Sequence, residues 1–162
     1  MTKCLFLLFC LLGSPLQAEN IPHVPAGQAA ITCVCLKVQD GDTFKLQDNK
    51  TRVRLWGIDA PEKGQAYADE SRARLKELCE GKAVRLEIKD TDQYGRKVAV
   101  VWLGKKNINL QMVEEGLAWH YAYFAPDAKN LAAAEKAARK ARRGLWQDKN
   151  PVNPYEFRTQ SR

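Results

Sequence analysis

Residues 31–61, ITCVCLKVQDGDTFKLQDNKTRVRLWGIDAP, decide the architecture. Thr32, Val34, Leu36 and Val38 alternate with Cys33, Cys35 and Lys37, the period of two that marks a strand. Asp40-Gly41 supplies a turn before a second strand from Thr43 to Leu46, and Asn49-Lys50 makes another. Val53, Leu55 and Gly57 then alternate with Arg52, Arg54 and Trp56, which turns the aliphatic side chains inward and both arginines to the opposite face. Pro61 ends this third strand.

Downstream the period changes. Ala68, Ser71, Leu75 and Leu78 are spaced three, four and three apart, one face of a helix that stops near Gly81. Two strands follow, Val84 to Lys89 and Lys97 to Leu103, joined by the polar turn Asp90 to Arg96, and Gly104-Lys105 closes the β region. Asn107 is placed to cap a second helix with Leu110, Val113 and Leu117 inward and Gly116 at its end. A third helix begins after Pro126, with an apolar stripe of Leu131, Ala134, Ala138 and Ala141 and a stop at Gly144. Its basic side, Lys136, Arg139, Lys140 and Arg143, reads as a solvated face whose cations suit a helix C-terminus. The tail from residue 147 to 162, with Pro151 and Pro154, is expected to be irregular. The order of three strands, helix, two strands and two helices predicts a mainly β, α+β domain over residues 31–146: a five-stranded OB-fold-type barrel with three helices. No repeat of solenoid or propeller period is present.

At the other end, residues 1–18 carry Lys3, an apolar run from Cys4 to Leu12, a Gly13-Ser14-Pro15 break and Leu16-Gln17-Ala18. That is the layout of a secretory signal peptide cut after Ala18, and it predicts a secreted or periplasmic protein. The apolar run is about half the roughly 20 residues a spanning helix needs, so no stable membrane association is expected. Pro22, Pro25 and Gly27 make residues 19–30 a flexible lead-in. The full chain of 162 residues carries 26 Lys and Arg against 19 acids, a net charge of +7. Loss of the leader removes only Lys3, so a basic excess that favours an anionic partner survives processing. The mature chain keeps Cys33, Cys35 and Cys79. Either Cys79 bridges one of the other two or all three remain buried thiols. Zinc lacks a second Cys pair or a His cluster to complete its ligands.

Three short motifs are ordinary turns when taken singly: Asp40-Gly41-Asp42-Thr43, the segment from Arg54 to Asp59-Ala60-Pro61-Glu62, and Asp92-Gln93-Tyr94-Gly95-Arg96. Together they place hard oxygen donors, Asp42, Asp59 and Glu62, at strand ends that a closed sheet can bring together. Carboxylates without His or Cys companions suit Ca²⁺ or Mg²⁺. Arg54 and Arg96 add planar forks matched to phosphate oxygens. A cation, two guanidinium clamps and a spare carboxylate to handle water are the parts for hydrolysing a phosphodiester. The aromatic run Trp119 to Phe124 offers faces for unstacked bases.

In these motifs the sequence resembles the thermonuclease family typified by staphylococcal nuclease, with Gly116-Leu117-Ala118 and Gly144-Leu145-Trp146 as later landmarks, over about residues 32 to 146. The resemblance implies a Ca²⁺-dependent nuclease acting on DNA and RNA, with single strands preferred, and leaving 3′-phosphate ends. It implies Asp42, Asp59 and the backbone carbonyl of Ala60 as the Ca²⁺ site, and Arg54, Arg96 and Glu62 as catalytic arginines and general base. Tyr94 would lie beside the substrate phosphate and Phe124 at a base-contacting position. The segment from Lys63 to Asp69 is shorter than the prototype's mobile loop, and Ala122 stands where the prototype has a base-contacting tyrosine. A monomer is expected. The competing reading is a catalytically inactive OB-type module that binds nucleic acid, which has no need of an intact set of Asp42, Arg54, Asp59, Glu62 and Arg96.

Overall fold

The computed structural model describes residues 30–160, so the leader and nearly all of the lead-in lie outside the described residues. The chain forms β1 (Ala30–Val38), β2 (Thr43–Leu46) and β3 (Arg52–Leu55), a two-residue β4 (Ile58–Asp59), α1 (Ala68–Cys79), β5 (Ala83–Thr91), β6 (Lys97–Leu103), a short β7 (Lys106–Asn107), α2 (Ile108–Glu114), β8 (Trp119–His120), α3 (Lys129–Lys140), a 3₁₀ turn at Gly144–Gln147, and α4 (Pro154–Gln160). The main sheet runs β3-β2-β1-β5-β6-β7, and β3 also pairs with β6, so its five long strands close into a barrel. Every other pairing is antiparallel; the closing one is parallel and sets Val53, Arg54 and Leu55 beside Lys97, Val98 and Ala99. β4 and β8 pair separately, Asp59 opposite Trp119, on the side where β3 ends.

The alternation expected of β1 is corrected: Cys35 is buried and Leu36 exposed, and a bulge between Cys35 and Lys37 shifts the register so that Val38 turns inward again. Beyond it Phe44, Val53 and Leu55 line the core while Arg52 and Arg54 lie on the wetter face, as their period requires. Gly57 departs from the expected strand. Its φ of +74° places it in a turn, where a Cβ would crowd Leu131 and Ala125, so α3 packs directly over it. In α1, Ser71, Leu75 and Leu78 face inward as their spacing requires, and Asn107 caps α2 by accepting the Leu110 N–H at 3.0 Å. Leu131, Ala134 and Ala138 bury the α3 stripe, whereas Ala141 lies past the end of that helix and is exposed.

Asn109 ties the closure together. Its buried side chain accepts the Val101 N–H and donates to the carbonyls of Trp56 and Ala99, which joins α2, β6 and the end of β3. Gly116 and Gly144 meet back to back, with the Leu145 N–H donating to the Gly116 carbonyl at 2.9 Å; a Cβ on either would collide with backbone of the other segment. Cys33, Cys35 and Cys79 are free thiols, Cys35 and Cys79 buried as the second alternative has them and Cys33 only partly so. Burial, then the neighbouring Cys79, pushes Cys35 up to about 12, and burial does the same to Cys79. The tail corrects the expectation of an irregular segment: α4 forms because Pro154 sits in the first turn, where no N–H is required, and Asn153 accepts the Tyr155 N–H. Among the described residues no helix is long and apolar enough to cross a membrane.

Candidate active site

The Asp40-Gly41-Asp42 turn is pinned before any side chain reaches solvent. The Asp42 N–H donates to Asp40 Oδ1, the Leu55 N–H donates to the Asp42 carbonyl, and Gly41 packs against Ser71 and Ala60 with no room for a Cβ. The buried Asp42 carboxylate accepts from the Thr43 hydroxyl at 2.9 Å, the Ala60 N–H at 3.0 Å and Arg54 Nη1 at 2.7 Å. Arg54 comes from β3, directly across the ladder from Thr43. Its other terminal nitrogen, Nη2, lies 2.7 Å from Asp59 Oδ1, so one guanidinium spans the carboxylates of two loops. Burial lowers the Arg54 pKa, but the charges of Asp42 and Asp59 outweigh it and hold the group firmly protonated.

Asp59 is only 1% exposed and is shared with a residue that none of the sequence motifs contains. Arg158 of α4 donates through Nη2 to Asp59 Oδ2 at 3.0 Å and through Nη1 to Asp59 Oδ1 at 3.2 Å and Glu62 Oε1 at 2.5 Å. It gathers Glu62 and Asp59 into the same cluster. Burial lowers its pKa, while hydrogen bonds to Asp59 and Glu62 raise it further, for a net rise. The only sequence signal for Arg158 is its own charge, in a tail whose prolines read as breakers.

Arg96 stands apart from this cluster. Its Nε donates to Asp92 Oδ2 at 2.6 Å, and its guanidinium carbon lies 5.4 Å from the centre of the exposed Tyr94 ring. The β3–β6 register nevertheless keeps it on the Arg54 side: Val98 pairs with Arg54, and Arg96 precedes Val98 by one strand period. Phe124 is exposed and packs edge-on against both Tyr121 and Tyr123. Burial, then the charge of Asp59, raises the Tyr121 pKa, which ties these rings to the carboxylate cluster. His120 is structural, its Nε2 hydrogen-bonded to the Ala125 carbonyl. Arg139 on the basic side of α3 is committed elsewhere, bonded to Glu135 and lying 3.8 Å from the centre of the Trp146 ring.

The charge balance bears on a cation. Among the described residues Asp42, Asp59 and Glu62 form ion pairs with two guanidiniums, Arg54 and Arg158, and the nearby Asp40 carboxyl is pushed up to about 6 by loss of hydration and then by the Asp42 charge. No three His, Cys, Asp or Glu side chains among the described residues converge as a ready-made metal cage. Two buried carboxylates beside the Ala60 backbone, with unbalanced negative charge, still suit a hard ion that accepts carbonyl and water oxygens, so the donor set fits Ca²⁺.

With this geometry in place, comparison with known proteins is informative. A family model described as "Staphylococcal nuclease homologue" matches residues 52–148. The chain is 40% identical over 161 residues to an "Uncharacterized endonuclease" of Haemophilus influenzae, covering 98% of this chain and 84% of that protein. It is 39% identical over 139 residues to a "Micrococcal nuclease" of Shigella flexneri, covering 78% and 80% respectively. A "Staphylococcal-like nuclease CAN1" of Arabidopsis thaliana is 39% identical over 113 residues, which is 70% of this chain and 35% of that one. Matches of this extent on a closed five-stranded barrel place the chain in the staphylococcal nuclease family, as a nuclease.

Proposed function

We propose that this nuclease hydrolyses DNA and RNA in a Ca²⁺-dependent reaction, prefers single strands and leaves 3′-phosphate ends. The observation that carries the reading is the Arg54 guanidinium fixed between Asp42 and Asp59 at 2.7 Å on each side. A donor held by two buried carboxylates needs no reorganisation when charge develops on phosphorus. Nη1 of Arg54 keeps a second N–H for a phosphoryl oxygen, while that of Nη2 also reaches the Ile58 carbonyl at 3.4 Å. Arg96 supplies a second fork from the same face of the barrel. Glu62, through the carboxylate oxygen not bonded to Arg158, takes one proton of the attacking water; the water oxygen bonds to phosphorus, the P–O5′ bond breaks, and the 5′ oxygen leaves and takes a proton from solvent water. Asp42, Asp59 and the Ala60 carbonyl would hold Ca²⁺, which supplies positive charge beside the phosphate when bound. Tyr94 lies near the phosphate and Phe124 beside a base. The leader composition and the basic excess support export, as a monomer without stable membrane association, to the medium or a periplasm.

The test uses mature protein and a labelled single-stranded DNA, with Ca²⁺ or with excess chelator. Cleavage should require the ion and leave ends that a polymerase extends only after phosphatase treatment. Undiminished cleavage in chelator would refute the metal role, and directly extendable ends would refute the cleavage polarity.

A further inference from the structure

The family match ends at residue 148, yet the chain continues into α4, and this helix is held against the carboxylate cluster by Arg158. Tyr155 lies three residues before Arg158, one helical turn away on the same side of α4. Opposite it stand Tyr121, Tyr123 and Phe124, and the four rings line a cleft of about 500 Å³ that is broadly open to solvent. That volume falls in the range of small-molecule sites. The exposure of these rings is high, 82% for Tyr123, 63% for Phe124 and 56% for Tyr155, and packing of the core does not require it.

We propose that α4 is a substrate arm of the active site, in which Arg158 anchors the helix to Asp59 and Glu62 and Tyr155 forms the outer wall of a cleft for one unstacked nucleobase. The proposal rests on the nuclease reading of the adjoining cluster. Its occupant follows from the walls: they are aromatic, which suits the flat face of a base of any sequence. Two of its walls lead back to the guanidiniums, since the Tyr121 N–H donates to the Gly57 carbonyl at 2.8 Å just after β3 and Tyr155 sits one turn from Arg158, so a base lodged there carries its phosphate toward Arg54 and Arg158. Support for this continuity comes from Tyr121, whose phenol feels Asp59, Arg158, Arg54 and Tyr155 together. A base paired in a duplex cannot enter between rings, so the same wall favours single strands.

The experiment compares wild type, Tyr155→Ala and Tyr155→Phe in the full mature chain. Binding of a fluorescein-labelled thymidine decamer is read by anisotropy in chelator, and KM and kcat are read on the same decamer with Ca²⁺. Tyr155→Ala should weaken binding by on the order of tenfold and raise KM in step, with kcat moving far less, because a lost stacking contact acts on binding. Tyr155→Phe keeps the ring and should restore both. An alanine variant within about twofold of wild type, a phenylalanine variant as weak as the alanine one, or no measurable decamer binding by wild type would each overturn the proposal. Because Tyr155 is half exposed on a terminal helix, its truncation leaves the barrel folded, which a thermal melt checks. If wild type cleaves and Tyr155→Ala binds normally, this inference falls alone. If wild type binds the decamer through Tyr155 but never cleaves it, the catalytic reading falls and the cleft stands.

Discussion

Asp40 shows how closely the acids of this site are set. Its carboxyl rises from the ordinary 3.8 to about 6 because neighbouring protein displaces part of its hydration and the Asp42 charge lies beside it, although the residue as a whole is exposed, so solvent screens the effect and keeps its stability consequence small. An acid whose pKa is higher in the folded than in the unfolded chain favours folding in its protonated form, so this contribution is present at low pH and is lost as pH rises toward 6. Asp40→Asn fixes the neutral state and can still accept the Asp42 N–H. In chelator, its thermal midpoint should gain on that of wild type between about pH 4 and pH 6 and hold a constant lead above pH 7. A lead that did not change with pH would contradict the assigned shift. The acids and Arg54 were legible in the sequence because turn chemistry and strand period confine each to one place: Asp42 follows a tight turn, and Arg54 sits opposite Val53 in an alternating strand. Arg158 was not, since its partner Glu62 is 96 positions away and nothing local to the tail announces the contact.

At the scale of elements, β2, β3, α1 and α3 follow their periods, whereas a bulge reverses the expected face of β1 and α2 buries Ile108, Asn109, Met112 and Val113 instead of the expected Leu110, Val113 and Leu117 face, Leu110 and Leu117 being only partly covered. Gly57 reads as one more inward strand position, but the close approach of α3 requires a left-handed turn there. α4 has seven residues, too few for a hydrophobic period to stand out, and its prolines look like breakers until one of them starts a helix. Asn109 illustrates a third kind of hidden information. In the sequence it is one polar residue in a short helix; in the fold it satisfies three backbone groups on two other elements. Asn109→Ala would strand the Val101 N–H and the Trp56 carbonyl in a dry interior, at a cost of about 2–4 kcal/mol. A urea titration should show that loss of stability with little change in slope, and a loss below about 0.5 kcal/mol would mean that water replaces the side chain.

At the scale of the whole fold, the barrel is completed by a parallel pairing, the one such pairing among the described residues, β3 with β6, across a separation of more than forty positions between Arg54 and Val98. Local turns give the β1-β2-β3 meander, and with it the Asp42–Arg54 pair, but bringing β6 to β3 requires closing a long loop. After dilution from denaturant, cleavage of a quenched oligonucleotide should therefore return only with the slow phase in which the barrel closes, and activity in the earliest folded fraction would contradict that order. The Asp42–Arg54 pair can thus form early, but the Arg96 side and the distant Arg158 join it only once the barrel is closed. A chain whose barrel has not yet closed is therefore chemically harmless to any nucleic acid it meets.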